Sequence, residues 1–138
     1  MYQKILVAVD GSEHSNRALH EAINIAKMTD GTVTLIHVVP TKPSVVMSSK
    51  EQFSEMQQNK GEAVLADGKK KAEADGVSAE TLLLEGDVVG QVVKTAKEGN
   101  FDLIVVGARG LSKLEELMLG SVSHGVAKNA SCPVVVTK

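Results

Sequence analysis

The stretch Phe101-Asp102-Leu103-Ile104-Val105-Val106-Gly107-Ala108-Arg109-Gly110 decides the fold, and Gly120-Ser121-Val122-Ser123 completes it after nine intervening residues. An apolar run of strand length that stops on glycine is how a buried parallel strand delivers the chain to the end of a sheet. Glycines let the backbone approach a ligand, and a Gly-Ser pair opening a helix offers free N–H groups and the positive end of the helix dipole. The layout suits a phosphate ester. Gly110 and Gly120 would give close approach, Ser121 and Ser123 their hydroxyls, and the N–H groups of residues 120 to 123 an anion cradle. Glycines after a strand are also ordinary turn residues. Arg109 suits a phosphate and a solvated loop equally.

Outward from this stretch, apolar runs alternate with helical patterns, the signature of a parallel sheet wrapped by helices. Lys4 to Val9 reads as strand one, Asp10-Gly11-Ser12 as a turn, and Ala18, Leu19, Ala22, Ile23 and Ala26 as one face of a helix that Asp30-Gly31 stops. Thr32 to Val39 is strand two, and Pro40 and Pro43 bracket a connection. Ser48 and Glu51 form a candidate capping box for a second helix running towards Ala74, with Gly61 and Gly68 weakening it. Ala79 to Glu85 is strand three, Asp87 the N-cap of a helix carrying Val88, Val89, Val92, Val93 and Ala96, and Leu103 to Val106 the core of strand four. A last helix from about Ser121 to Asn129 precedes strand five, Val134 to Thr137. Such sheets bind ligands at the carboxyl ends of their strands, where the strand order reverses. If strands one and four are neighbours, Asp10-Gly11-Ser12 and the glycine loop face one crevice. Asp10 could accept from a ribose hydroxyl or help hold Mg²⁺, and could equally cap the first helix together with Ser12.

Composition narrows the function. The 138 residues read as one domain, 1–138, with 43% hydrophobic, 23% charged and 2% aromatic residues, so the core is aliphatic and single-stranded nucleic acid has no stacking platform. A net charge of -2 gives no basic field, and Lys69-Lys70-Lys71 reads as a solvated helix face. Nucleic acid is therefore not the expected partner. Cys132 reads as a small buried hydrophobe, and Asn129-Ala130-Ser131 as a chance match to the glycosylation pattern. The sequence shows neither a signal-peptide pattern nor an apolar run of membrane-spanning length, which points to a cytoplasmic protein away from membranes. There is no Gly-x-x-x-x-Gly-Lys-[Ser/Thr] and no Gly-x-Gly-x-x-Gly. His14, His20, His37 and His124 lack metal-ligand spacing and belong to no recognisable triad; His124, near the phosphate layout, is the one to watch.

Val7-Ala8-Val9-Asp10-Gly11-Ser12, Val33 to Pro40, Asp102 to Gly110, Gly120-Ser121-Val122-Ser123 and Cys132-Pro133-Val134-Val135-Val136 together resemble the universal stress protein family over nearly the whole chain. The most specific part is Gly-x2-Gly-x9-Gly-[Ser/Thr], matched by Gly107, Gly110, Gly120 and Ser121, which in that family marks the members that bind ATP. The resemblance implies an α/β fold of the adenine nucleotide alpha hydrolase type: a five-stranded parallel open sheet of order 3-2-1-4-5, helices on both faces, and a homodimer joined through the last strands. It further implies that the backbone around Ala8, Val9 and Val38 meets adenine, that Asp10 and Gly107 meet the ribose, and that Arg109, Gly110, Gly120, Ser121, Val122 and Ser123 meet the phosphates. Mg²⁺ would be carried through the phosphates, with Asp10 as its candidate protein ligand. The function so implied is a nucleotide-dependent stress or signalling module with little or no ATP hydrolysis. Glu115 and Glu116 are expected to face solvent, since acids beside a triphosphate repel it. An enzyme cleaving the α–β phosphate bond would carry Ser-Gly-Gly-x-Asp-Ser after strand one, where this chain has Asp10-Gly11-Ser12-Glu13-His14-Ser15. A phosphoacceptor receiver would need paired acids there, and Val9-Asp10 does not supply them.

Overall fold

The computed structural model describes residues 1–40, 47–109 and 120–138, with side chains throughout these except at 47–54. The elements run β1 (Lys4–Ala8), α1 (Glu13–Thr29), β2 (Thr32–Val39), α2 (Met47–Ala74), β3 (Ala79–Glu85), α3 (Val88–Glu98), β4 (Leu103–Gly107), α4 (Ser121–Asn129) and β5 (Val134–Thr137). All pairings are parallel and the order is β3-β2-β1-β4-β5, so β1 does lie beside β4. β1 ends one residue earlier than its apolar run, at Ala8, and β4 one residue later, on the rung between Gly107 and Thr137.

Alternation along the central strands divides the core in two. Ile5, Val7, Val33, Leu35, Leu103 and Val105 face α1 and α2, packing with Leu19, Ala22, Ile23 and Leu65. Leu6, Ile36, Val38, Ile104 and Val106 face α3 and α4, packing with Val92, Ala96 and Val126. The sheet is thus buried on both sides, which is why its strands read as continuous apolar runs.

Local chemistry sets the helix ends. Ser12 caps α1, its hydroxyl accepting from Ser15 N–H at 3.2 Å. At the other end it is Asp30, not Gly31, that takes the left-handed conformation (φ 58°). Gly31 serves space instead: a Cβ there would stand 2.6 Å from the carbonyl oxygen of Gln3. Asp87 caps α3 as its position suggests, accepting from Gly90 N–H at 2.7 Å. The second helix departs from expectation. It begins at Met47, so Ser48 lies inside it rather than in front of it and cannot be its N-cap; the side chains of Ser48 and Glu51 lie outside the described residues. Gly61 and Gly68 do not interrupt α2, because each is a point where the helix presses onto β2, a Cβ at Gly61 meeting the His37 ring and one at Gly68 the Leu35 side chain. That contact outweighs a propensity cost of about 1 kcal/mol per glycine.

At the opposite end of the sheet, the Asp102 carboxylate accepts from Gln3 and Lys4 N–H at 3.2 and 3.1 Å, fastening the starts of β1 and β4. Lys4 crowns this corner, donating to Gly99 O and lying over the Phe101 ring at 4.9 Å. Burial pushes the nearby Cys132 thiol up, and the charge of Asp102 adds to the effect. A raised pKa means less thiolate at neutral pH. Alkylation by iodoacetamide at pH 7.5 is therefore expected to run several-fold slower in the folded protein than in the chain unfolded in urea, and a faster folded-state reaction would contradict this assignment.

Candidate functional site

A cavity of about 290 Å³ opens over the carboxyl ends of β1, β2 and β4, close to the roughly 300 Å³ at which small-molecule sites begin. Its lining includes Ala8, Val9, Asp10, Val38, Gly107, Arg109, Gly120, Ser121, Val122 and Ser123. These are residues that the sequence suggests from four separate segments, and the strand order brings them to one place. Gly110, Glu115 and Glu116, and the connection through Pro43, lie outside the described residues.

On the β1 side the chain leaves the sheet through Asp10. Asp10 Oδ1 accepts from Ser12 N–H at 2.9 Å, and Asp10 N–H donates to Ser15 Oγ at 3.2 Å. The two open readings of Asp10 thus resolve in part: Ser12 is the cap, and Asp10 holds the turn before it with one carboxylate oxygen. Val9 N–H donates to Ile36 O at 2.9 Å, while Val9 O accepts from the imidazole of His37 at 2.8 Å. A carbonyl has no proton to give, so this partner assigns the proton to His37 Nδ1.

On the β4 side, one carbonyl is shared by two donors. Ala108 O accepts from Gly120 N–H at 2.6 Å and from Ser123 Oγ at 3.0 Å, tying the start of α4 to the end of β4. Two expectations change as a result. Gly120 N–H is engaged and does not belong to an anion cradle, and the Ser123 hydroxyl, 1% exposed, spends its proton on Ala108 O and Gly120 O. The N–H groups that head α4 before its first internal bond, His124 N–H to Gly120 O at 3.0 Å, are those of Ser121, Val122 and Ser123. Gly120 has φ -67°, which any residue adopts, so its glycine is explained by space: a Cβ would lie 3.0 Å from Ala108 O. Gly107 is tighter still, a Cβ there falling 2.7 Å from the backbone carbon of His14 in α1.

The walls supply what sequence reading missed. Ile36, Val106, Val88 and Val92 make an apolar side, and Ser15, His37, Pro40 and Gln57 complete the rim. Val88 and Val92 come from α3, on the face shared with Val38, and their helical spacing had marked them only as core. His37 carried a signal, a polar residue at the carboxyl end of a buried strand, whereas the more prominent His124 is exposed and does not line the cavity.

The model describing the universal stress protein family matches residues 1–138. The chain belongs to that family. It is 42% identical to universal stress protein MJ0531 of Methanocaldococcus jannaschii, over 100% of this chain and 83% of that one, and 38% identical to universal stress protein YxiE of Bacillus subtilis over 100% of both. Among solved structures, the hypothetical protein MJ0577 superposes with a TM-score of 0.93 at 28% identity, covering 100% of this chain and 96% of the other. A universal stress protein in complex with cAMP gives a TM-score of 0.77 at 29% identity, covering 99% and 97%. A universal stress protein family member from Arabidopsis thaliana with AMP bound gives 0.75 at 25% identity, covering 99% and 91%. The five-stranded order is therefore that of the adenine nucleotide alpha hydrolase-like fold.

Within this universal stress protein, Gly107 also holds α1 against β4, so its role reaches beyond the cavity. Gly107→Ala is expected to cost about 1–3 kcal/mol of unfolding free energy, the range for overpacking a closed site, because the atoms in its way are backbone. Urea denaturation measures this, and an unchanged midpoint would show that α1 does not need the glycine.

Proposed function

We propose that this protein binds an adenine nucleotide, ATP with Mg²⁺, in the cavity above β1, β2 and β4, and acts as an occupancy-dependent stress or signalling module rather than as a fast hydrolase. The observation that carries the reading is the convergence of an α4 start without a side-chain cap, the tightly placed Gly107 and Gly120, and an apolar slot in one crevice where the strand order reverses. Relatives solved with cAMP and AMP support an adenine nucleotide as the ligand class.

In this reading the N–H groups of Ser121, Val122 and Ser123 receive phosphate oxygens, with the Ser121 hydroxyl and Arg109 beside them, and the family resemblance adds Gly110 to the phosphate contacts. Asp10 and Gly107 take the ribose. The base lies between Ala8, Val9 and Val38 on the sheet and Val88 and Val92 on α3. Mg²⁺ neutralises phosphate charge when bound. Among the described residues no group of three acids, histidines or cysteines could hold a metal, so the ion rests on the phosphates and on Asp10. Asp10 is the only carboxylate lining the cavity among the described residues, and one of its oxygens already serves the turn. Among the described residues no carboxylate from the α4 side lines the cavity to orient an attacking water, which argues for turnover well below about 1 s⁻¹.

The test is calorimetric titration with Mg·ATP, together with identification of any nucleotide released on denaturation. Wild-type protein is expected to bind one ATP per chain and to release phosphate at near-background rates. Gly120→Val should lose at least tenfold in affinity while keeping its circular dichroism, since the branched side chain displaces the backbone of Ala108 and Arg109. Full-strength binding by that variant would remove the phosphate-loop assignment, and turnover of several per second would make the protein an ATPase.

The same reading includes a homodimer through β5. This strand pairs with β4 on one side only, and Val134, Val135 and Val136 remain half-buried on an open edge that no inward charge protects. Val135→Lys is expected to move the sedimentation profile from dimer to monomer. An unchanged dimer would place the interface elsewhere.

A further inference from the structure

The β1–β2 ladder stops one rung early. Its register ends at Ala8 opposite Ile36, and Val9 N–H to Ile36 O is the last backbone bond between the strands. In a parallel ladder alternate residues turn both N–H and C=O to the same neighbour, so Val38, two residues beyond Ile36, faces the β1 side as Ile36 does. The next rung would run from Val38 N–H to Val9 O. That carbonyl instead accepts from His37 Nδ1 at 2.8 Å. His37 is 8% exposed and its ring is seated under α2 at Gly61, where a Cβ would come within 2.6 Å of His37 Cδ2.

From this we infer that His37 is a positioning residue: by drawing Val9 O onto its ring and out of line with the ladder it keeps the Val38 N–H and C=O turned into the cavity, and so sets the preference of the site for adenine over guanine. The inference rests on the adenine-nucleotide reading above. A backbone N–H beside a C=O matches the acceptor N1 and donor N6 of adenine, whereas guanine presents a donor at N1 and an acceptor at O6, reversing both. Val38 lines the cavity beside Ile36 and Val106, so a base held there also lies against aliphatic walls. Gly61 becomes part of the same device, although it is on a helix remote in sequence and does not line the cavity.

Two measurements test this. In amide hydrogen exchange on the nucleotide-free wild type, Val38 should exchange far faster than the laddered residues of β2, and should slow on addition of ATP. His37→Leu should slow Val38 exchange without any nucleotide, because the missing rung can now form, while His37→Asn, whose amide can donate to Val9 O as Nδ1 does, should behave as wild type. In parallel titrations with ATP and GTP, His37→Leu and Gly61→Ala should lower the ATP-to-GTP affinity ratio by about tenfold, the scale of one hydrogen bond lost or left unpaired, with GTP affinity little changed. His37→Asn should restore the ratio. A Val38 amide as protected in the free wild type as its laddered neighbours, or equal losses for ATP and GTP in the variants, would overturn the role of His37. A wild type that binds ATP and GTP equally would instead overturn the adenine reading, and the exchange data would still show whether His37 holds the ladder open. Should His37→Leu fail to fold, Gly61→Ala and the wild-type exchange pattern carry the same decision.

Discussion

The handedness of the crossover connections fixes where the crevice of this protein opens. Parallel strands joined through a helix cross over right-handed. The chain goes from β1 to β2 to β3 in one direction across the sheet, then returns past β1 to add β4 and β5 in the other. Opposite directions with one handedness put α1 and α2 on one face and α3 and α4 on the other, as the two core clusters record. Between β1 and β4 the loops must therefore part to opposite sides. The cavity is the space they leave, and its position follows from the topology before any side chain is considered.

Around that space, carbonyl groups at the ends of strands do most of the organising. Ala108 O gathers Gly120 N–H and the Ser123 hydroxyl, so the end of β4 fixes the start of α4. Val9 O takes the imidazole of His37 and so ends a ladder. Each bond satisfies a buried acceptor, which would otherwise cost about 1–3 kcal/mol. Each also decides which neighbouring donors remain available: the first removes Gly120 N–H from the helix-head set, the second leaves that of Val38 facing the crevice. The polar groups offered to a ligand are those that the fold's own hydrogen bonding does not consume.

Glycines divide by what surrounds them. Gly107 and Gly120 are glycines because backbone passes within 2.7 and 3.0 Å of where a Cβ would be, and the same spacing that suggests a phosphate loop also admits α1 and Ala108. Gly61 and Gly68 read as flaws in a helix until the sheet is placed beneath them. One residue type thus marks a close approach, but the sequence does not say whether a ligand, a helix or a side chain is what approaches.

The sequence by itself determined the elements and their class. Period-two and period-3.6 patterns, the Asp87 cap and the apolar runs of β2, β3 and β5 are local features, and local steric and hydrogen-bond rules suffice to read them. It also brought forward Asp10, Gly107, Gly120 and Ser121, because turn chemistry and helix starts are written in adjacent residues. Only the tertiary structure decided that the Ser123 hydroxyl and Gly120 N–H bond to Ala108 O, that Val88, Val92 and Gln57 share the cavity, and that His37, not His124, lines it. Those outcomes depend on distances between segments far apart in the chain, and on which of several competing partners a donor reaches first, neither of which any local pattern of residues encodes.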